Sequence, residues 1–139
     1  MNKEQLLATL NNFMNERNIG RSDFMVDTSA ALVLHGLRET VYDIDIEMSE
    51  EMIDKLFPSD RFERYPMMPP FAAFRIELPN RMDIKPPFGD FTSTIVDGIQ
   101  CRSIESLKKL KETLVKVCGE ERDRVDLENI NNYLKGMSK

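Results

Sequence analysis

The stretch Thr28–Glu47, TSAALVLHGLRETVYDIDIE, constrains the fold more than any other part of the chain. A small-residue turn opens a short apolar helix, and after Gly36 the chain enters Val41–Glu47 with Asp43-Ile44-Asp45 inside it. Strand residues two apart share a face, so Asp43 and Asp45 would stand together while Ile44 and Ile46 face a core. Adjacent carboxylates repel unless a cation lies between them, which asks for a divalent metal. A helix N-terminus beside them favours phosphate. Metal and phosphate together point to nucleotide chemistry.

With 139 residues the chain is expected to form one domain over 1–139, able to bury a core without disulfides or a structural metal. Apolar residues at 41% and charged residues at 31% are ordinary for a globular protein. No apolar run approaches the roughly 20 residues that span a bilayer. The polar start MNKEQLLATLNNF has no signal-peptide core, and Cys101 and Cys118 stand in no metal-binding spacing. A cytoplasmic protein without membrane contact is expected. The net charge of −5 argues against a broad electrostatic grip on nucleic acid. Metal ions among carboxylates would offset it locally, so an anionic substrate remains open.

Along the chain, Leu6, Leu7, Leu10 and Phe13/Met14 recur at helical spacing within Lys3–Glu16, with Asn18-Ile19-Gly20 as the stop. Phe24–Val26 reads as a buried strand, and Thr28 or Ser29 as the cap of a helix over Ala30–His35. Val41–Glu47 is the second strand, and Ser49 opens a helix that Pro58 closes. Arg61–Tyr65 reads as a strand before a proline-rich loop at Pro66–Pro70, and Phe71–Leu78 pairs with Arg81–Lys85 across Pro79-Asn80. Thr94–Val96 and Ile99–Cys101 flank the tight-turn pair Asp97-Gly98. Ser103 starts a helix through Lys116, and Arg122–Leu134 is the last, with Val125, Ile130 and Leu134 on its apolar side. The order α-β-α-β-α-β-β-β-β-α-α predicts an α/β (α+β) fold, a mixed sheet flanked by helices.

Two-metal phosphoryl or nucleotidyl transfer needs ions about 3.5–4 Å apart bridged by carboxylates. Asp43 and Asp45 can bridge, and Asp83 in Arg81-Met82-Asp83-Ile84 can complete the set from a neighbouring strand about 4.8 Å away. Met82 and Ile84 would turn inward, repeating the alternation of Asp43-Ile44-Asp45. Arg38, Thr40 and Lys85 flank these strands, within reach of phosphate or base. Lys108, Lys109 and Lys111 read as the wet face of a helix, with contact between one of them and the nucleotide as the alternative. His35, the only histidine, reads as a capping or packing residue, and Met67-Met68 as loop packing or the rim of a substrate mouth.

This arrangement resembles the nucleotidyltransferase superfamily of the DNA polymerase β type, above all its small bacterial members: minimal, abortive-infection toxin-type and short aminoglycoside nucleotidyltransferases. Thr28–Arg38 stands where such proteins carry a Gly-Gly or Gly-Ser turn, a short helix and often His-Gly. Asp43-Ile44-Asp45-Ile46 stands at their paired carboxylates and Asp83 at the third. The tail Arg124-Val125-Asp126-Leu127-Glu128-Asn129-Ile130 is similar to a closing segment of these small proteins. The resemblance implies Mg²⁺ or Mn²⁺ on Asp43, Asp45 and Asp83, and a nucleoside triphosphate held by Thr28, Ser29, Arg38 and Lys85. Asp83 would assist the nucleophile, and the acceptor would be a tRNA end, a partner protein's hydroxyl or a small hydroxylated drug.

One position departs from the pattern. Thr28 replaces the first glycine, and a β-branched residue resists the turn that glycine permits. Asp27 before it would bring negative charge toward the phosphate. These two residues favour an alternative, a non-catalytic member acting as an antitoxin- or inhibitor-like binding module. A metal-dependent phosphodiesterase or nuclease is a third possibility, disfavoured by the spacing from Ser29 to Asp43.

Overall fold

The computed structural model describes residues 1–56, 63–65, 73–76, 81–87 and 90–137. Helix α1 (Lys3–Arg17) starts on a capping box: the Asn2 side chain accepts from the Gln5 amide, and the Gln5 side chain accepts from the Asn2 amide, each at 2.9 Å. Asn18, left-handed at φ 54°, ends it. Strand β1 (Met25–Asp27) runs directly into α2 (Thr28–Leu34), and β2 (Ile44–Glu47) into α3 (Glu50–Leu56). Strands β3 (Glu63–Tyr65), β4 (Ala73–Ile76) and β5 (Met82–Lys85) follow, then β6 (Ser93–Val96) and β7 (Ile99–Arg102). Asp97 and Gly98 turn between the last two at φ 51° and 77°, the mirror-image turn whose twist matches paired strands. Helices α4 (Ile104–Val117), capped by Ser103, and α5 (Glu121–Met137) close the chain.

The strands form one seven-stranded mixed sheet in the order β3-β4-β5-β2-β1-β7-β6. Strand β2 lies antiparallel to β1 and parallel to β5, while β7 is parallel to β1. Alternation separates the two faces. Val26, Ile44, Ile46 and Ile84 are fully buried and share one core with Leu6 and Leu10 of α1 and Ala30–Leu34 of α2. Helix α2 is buried from Ala30 to Leu34, as an apolar helix between sheet and helix must be. Helices α4 and α5 pack on each other and add Leu107 and Ile130. Asp27, Asp45, Glu47, Asp83 and Lys85, at the alternate positions, project from the opposite face.

Several features differ from the sequence expectation. The predicted element order has four strands between α3 and α4; among the described residues there are five, β3 within Arg61–Tyr65 being the first. Helix α2 begins at Thr28, because Asp27 rather than Thr28 or Ser29 is its cap. Strand β2 begins at Ile44, so Asp43 stands ahead of the strand instead of inside it. Val125 is 45% exposed, leaving Ile130 as the buried anchor of α5. Lys111 is 3% exposed, not on a wet face, because two carboxylates of α5 receive its ammonium. The expectations for Pro58, Pro66–Pro70, Met67-Met68 and Pro79-Asn80 lie outside the described residues.

Candidate active site

Strand register sets three carboxylates abreast. Asp27 pairs with Asp45 across β1 and β2, and Asp45 with Asp83 across β2 and β5. Like charges on adjacent strands destabilise unless each is compensated. Asp27 is fully buried, and Arg102 grips it through Nε at 2.6 Å and a terminal nitrogen at 2.9 Å. Burial opposes its ionisation, but the hydrogen-bonded guanidinium outweighs that and holds the carboxyl below its usual range. Arg102 also donates to Ser106 Oγ at 3.0 Å and lies over the Phe91 ring. The negative charge expected beside the phosphate is therefore cancelled within the protein.

Glu47, one row further along β2, is 3% exposed and 3.5 Å from Arg102. Burial first, and then the charge on Asp27, push its carboxyl up to about 8. Its proton is thus held more tightly than an ordinary carboxyl's, and Asp27 is the carboxylate that Arg102 grips at hydrogen-bond distance. Asp45 is pushed upward too, chiefly by burial, with Asp83 and Asp27 adding to it against the Thr28 hydroxyl and Lys85.

Thr28 adopts φ 48°, the left-handed region the resemblance assigns to glycine. Such a conformation costs a side-chain-bearing residue roughly 1–2 kcal/mol. Two contacts hold it there. Asp27 Oδ1 accepts the Thr28 amide at 2.6 Å, and the Thr28 hydroxyl donates to Asp45 Oδ2. The chain makes the tight turn despite the substitution.

The facing wall is an ionic chain that joins Arg38, after α2, to the last two helices. Arg38 donates to Ser29 Oγ at 3.0 Å and to Asp126 at 3.1 Å, with its Nε fixed by the Thr40 carbonyl at 2.9 Å. Asp126 also meets Lys111 at 3.0 Å, and Lys111 meets Asp123 at 2.8 Å. Between this wall and the sheet lies a cleft of about 320 Å³, lined by Thr28, Ser29, Arg38, Asp43, Asp45 and Asp83. Tyr42, 93% exposed, lines the same cleft. Six of the seven residues expected at the site thus line one cleft. Lys85 does not; it lines an adjacent cleft of about 240 Å³ with Glu47, Arg102 and Lys109, and Thr28 borders both.

The donor set suits a divalent cation: the hard carboxylate oxygens of Asp43, Asp45 and Asp83 line one cleft. As they stand, the side chains are turned elsewhere. Asp45 takes the Thr28 hydroxyl, while Arg81 lies 3.6 Å from Asp43 and 3.4 Å from Asp83. Among the described residues no three acidic, histidine or cysteine groups are gathered as a ready-made metal cage. The ligands fit in chemistry and must turn to converge.

Sequence reasoning missed the charge-balancing roles of Arg102, Glu47, Lys111 and Arg81 in and beside this cleft. Arg102, Glu47 and Lys111 act by pairing with residues distant in sequence, which no local spacing announces; Arg81 meets Asp83 two residues on and the distant Asp43 as well. His35 packs as expected, its Nε2 2.8 Å from the Arg102 carbonyl.

No protein-family model matches the chain, and no curated protein matches it in sequence. Two solved structures share its fold. The lincosamide antibiotic adenylyltransferase LnuA, bound to lincomycin, is 18% identical with a TM-score of 0.56, covering 92% of this chain and 96% of that one. A candidate nucleotidyltransferase from Thermotoga maritima is 17% identical with a TM-score of 0.62, covering 98% and 96%. The chain has the nucleotidyltransferase fold.

Proposed function

We propose that this chain is a metal-dependent nucleotidyltransferase, moving a nucleoside monophosphate from a nucleoside triphosphate onto an acceptor hydroxyl. The observation that carries this is the cleft in which Asp43, Asp45 and Asp83 face Ser29 and Arg38 on a fold shared with an adenylyltransferase. Ser29 and Arg38, joined at 3.0 Å, offer a hydroxyl and a planar cation to the triphosphate oxygens. The acceptor oxygen attacks the α-phosphorus in line; the bond to the bridging oxygen breaks, and pyrophosphate leaves with the electron pair. Asp83 receives the hydroxyl proton. Mg²⁺ or Mn²⁺ on Asp43, Asp45 and Asp83 would neutralise charge on the phosphoryl oxygens and acidify the hydroxyl.

A small hydroxylated molecule is the favoured acceptor. This chain covers 96% of the lincosamide enzyme, so an acceptor of that size needs no additional domain. A tRNA end and a partner protein's hydroxyl are the other acceptors to test.

The test follows label from each α-labelled nucleoside triphosphate, with Mg²⁺ or Mn²⁺, into RNA, protein and a panel of hydroxylated antibiotics. The double variant Asp43→Asn with Asp45→Asn runs beside it. Label that requires the two carboxylates supports the proposal and identifies the acceptor class. No transfer by the folded protein to any of the three would refute it and leave a nucleotidyltransferase fold used for binding.

A further inference from the structure

Arg81 immediately precedes β5 and stands two residues before Asp83, so the two share a side of the strand. Its carbonyl accepts the Ile44 amide at 2.9 Å, which pins its backbone beside Asp43 at the start of β2. From there its guanidinium reaches both flanking carboxylates, with a terminal nitrogen 3.6 Å from Asp43 Oδ2 and Nε 3.4 Å from Asp83 Oδ2. These separations exceed the roughly 2.7–2.9 Å of a charge-assisted hydrogen bond. Nε is shielded from solvent yet lacks a hydrogen bond of good geometry. Arg81 is held by charge more than by directional bonds. Arg102 shows the contrast within the same sheet, since it closes on Asp27 at 2.6 and 2.9 Å.

We propose that Arg81 is the resident counter-ion of the carboxylate site: it occupies Asp43 and Asp83 in the metal-free protein and competes with the divalent cation for them. This rests on the metal-dependent transfer proposed above. A permanent cation between the carboxylates relieves their repulsion before substrate arrives. Its loose grip lets it yield to a doubly charged ion, which binds both carboxylates more strongly. Arg81, 39% exposed by its side chain, has an open path to solvent when displaced.

Mn²⁺ titration followed by electron paramagnetic resonance of the free ion tests this without any turnover. Losing two competing ion-pair contacts in Arg81→Ala should tighten Mn²⁺ binding roughly tenfold. Arg81→Gln, closer in shape and also neutral, should tighten it similarly, whereas Arg81→Lys should stay near wild type. Asp45→Asn is the control that should weaken binding. If Asp45→Asn weakens binding while both neutral variants bind Mn²⁺ no tighter than wild type, the counter-ion role is overturned and the metal site stands. If no variant binds Mn²⁺, both proposals fall together.

Discussion

Arg102 offers the sharpest test of how the central strands tolerate three carboxylates in a row. In Arg102→Leu, fully buried Asp27 loses hydrogen bonds of 2.6 and 2.9 Å and keeps the Thr28 amide. Removing one member of a buried pair costs about 3–5 kcal/mol, because the other charge stays in a poorly solvating environment. An unfolding entropy of about 2.1 cal/mol/K per residue, taken over 139 residues, converts that into a Tm lowered by about 10–17 °C. Asp27 has an escape, which is to take up a proton. The deficit should therefore be smaller at pH 5 than at pH 8 when followed by calorimetry. Adding Asp27→Asn removes the stranded charge and should recover at least about half of the loss. A single variant that melts within about 3 °C of wild type, or a deficit equal at both pH values, would refute the assignment of Asp27 and Arg102 as the charge-bearing pair.

Glu47 predicts a pH dependence of definite sign. Its carboxyl rises from an ordinary 4.5 to about 8 in the fold, so its stabilising contribution is complete below 4.5 and lost as pH climbs toward 8. Glu47→Gln should flatten that limb of a urea-denaturation series. Asp45→Asn should reduce nucleotidyl transfer at least about 100-fold. It should also leave stability unchanged or raised by about 1 kcal/mol, since it relieves repulsion from Asp27 and Asp83; a large loss of stability would contradict that electrostatic account. Lys111→Met strands Asp123, while Asp126 keeps Arg38, and should cost about 3 kcal/mol in chemical denaturation. A neutral outcome there would show that α5 does not depend on the buried ammonium.

Local chemistry makes part of this protein legible from its sequence. The alternation of Asp45 and Glu47 with Ile44 and Ile46, and of Asp83 with Met82 and Ile84, is a period-two pattern that fixes which face is core and which is polar. The turn at Asp97-Gly98 and the Ser103 cap follow from single-residue backbone preferences. The carboxylates were named from the same alternation and Ser29 and Arg38 from the family resemblance, and Asp43, Asp45, Asp83, Ser29 and Arg38 line one cleft.

What only the tertiary structure decided is how each charge is balanced. Asp27 looked like a liability near the phosphate until β7 brought Arg102 against it, 75 positions away in the chain. Lys111 looked solvated until α5 supplied Asp123 and Asp126. Thr28 looked unable to form the turn, yet its hydroxyl and amide are bonded to Asp45 and Asp27 in the left-handed conformation. Backbone preference and hydrophobic period are properties of neighbours along the chain and can be read from it. Electrostatic compensation depends on distance and burial, and those exist only once distant segments have met.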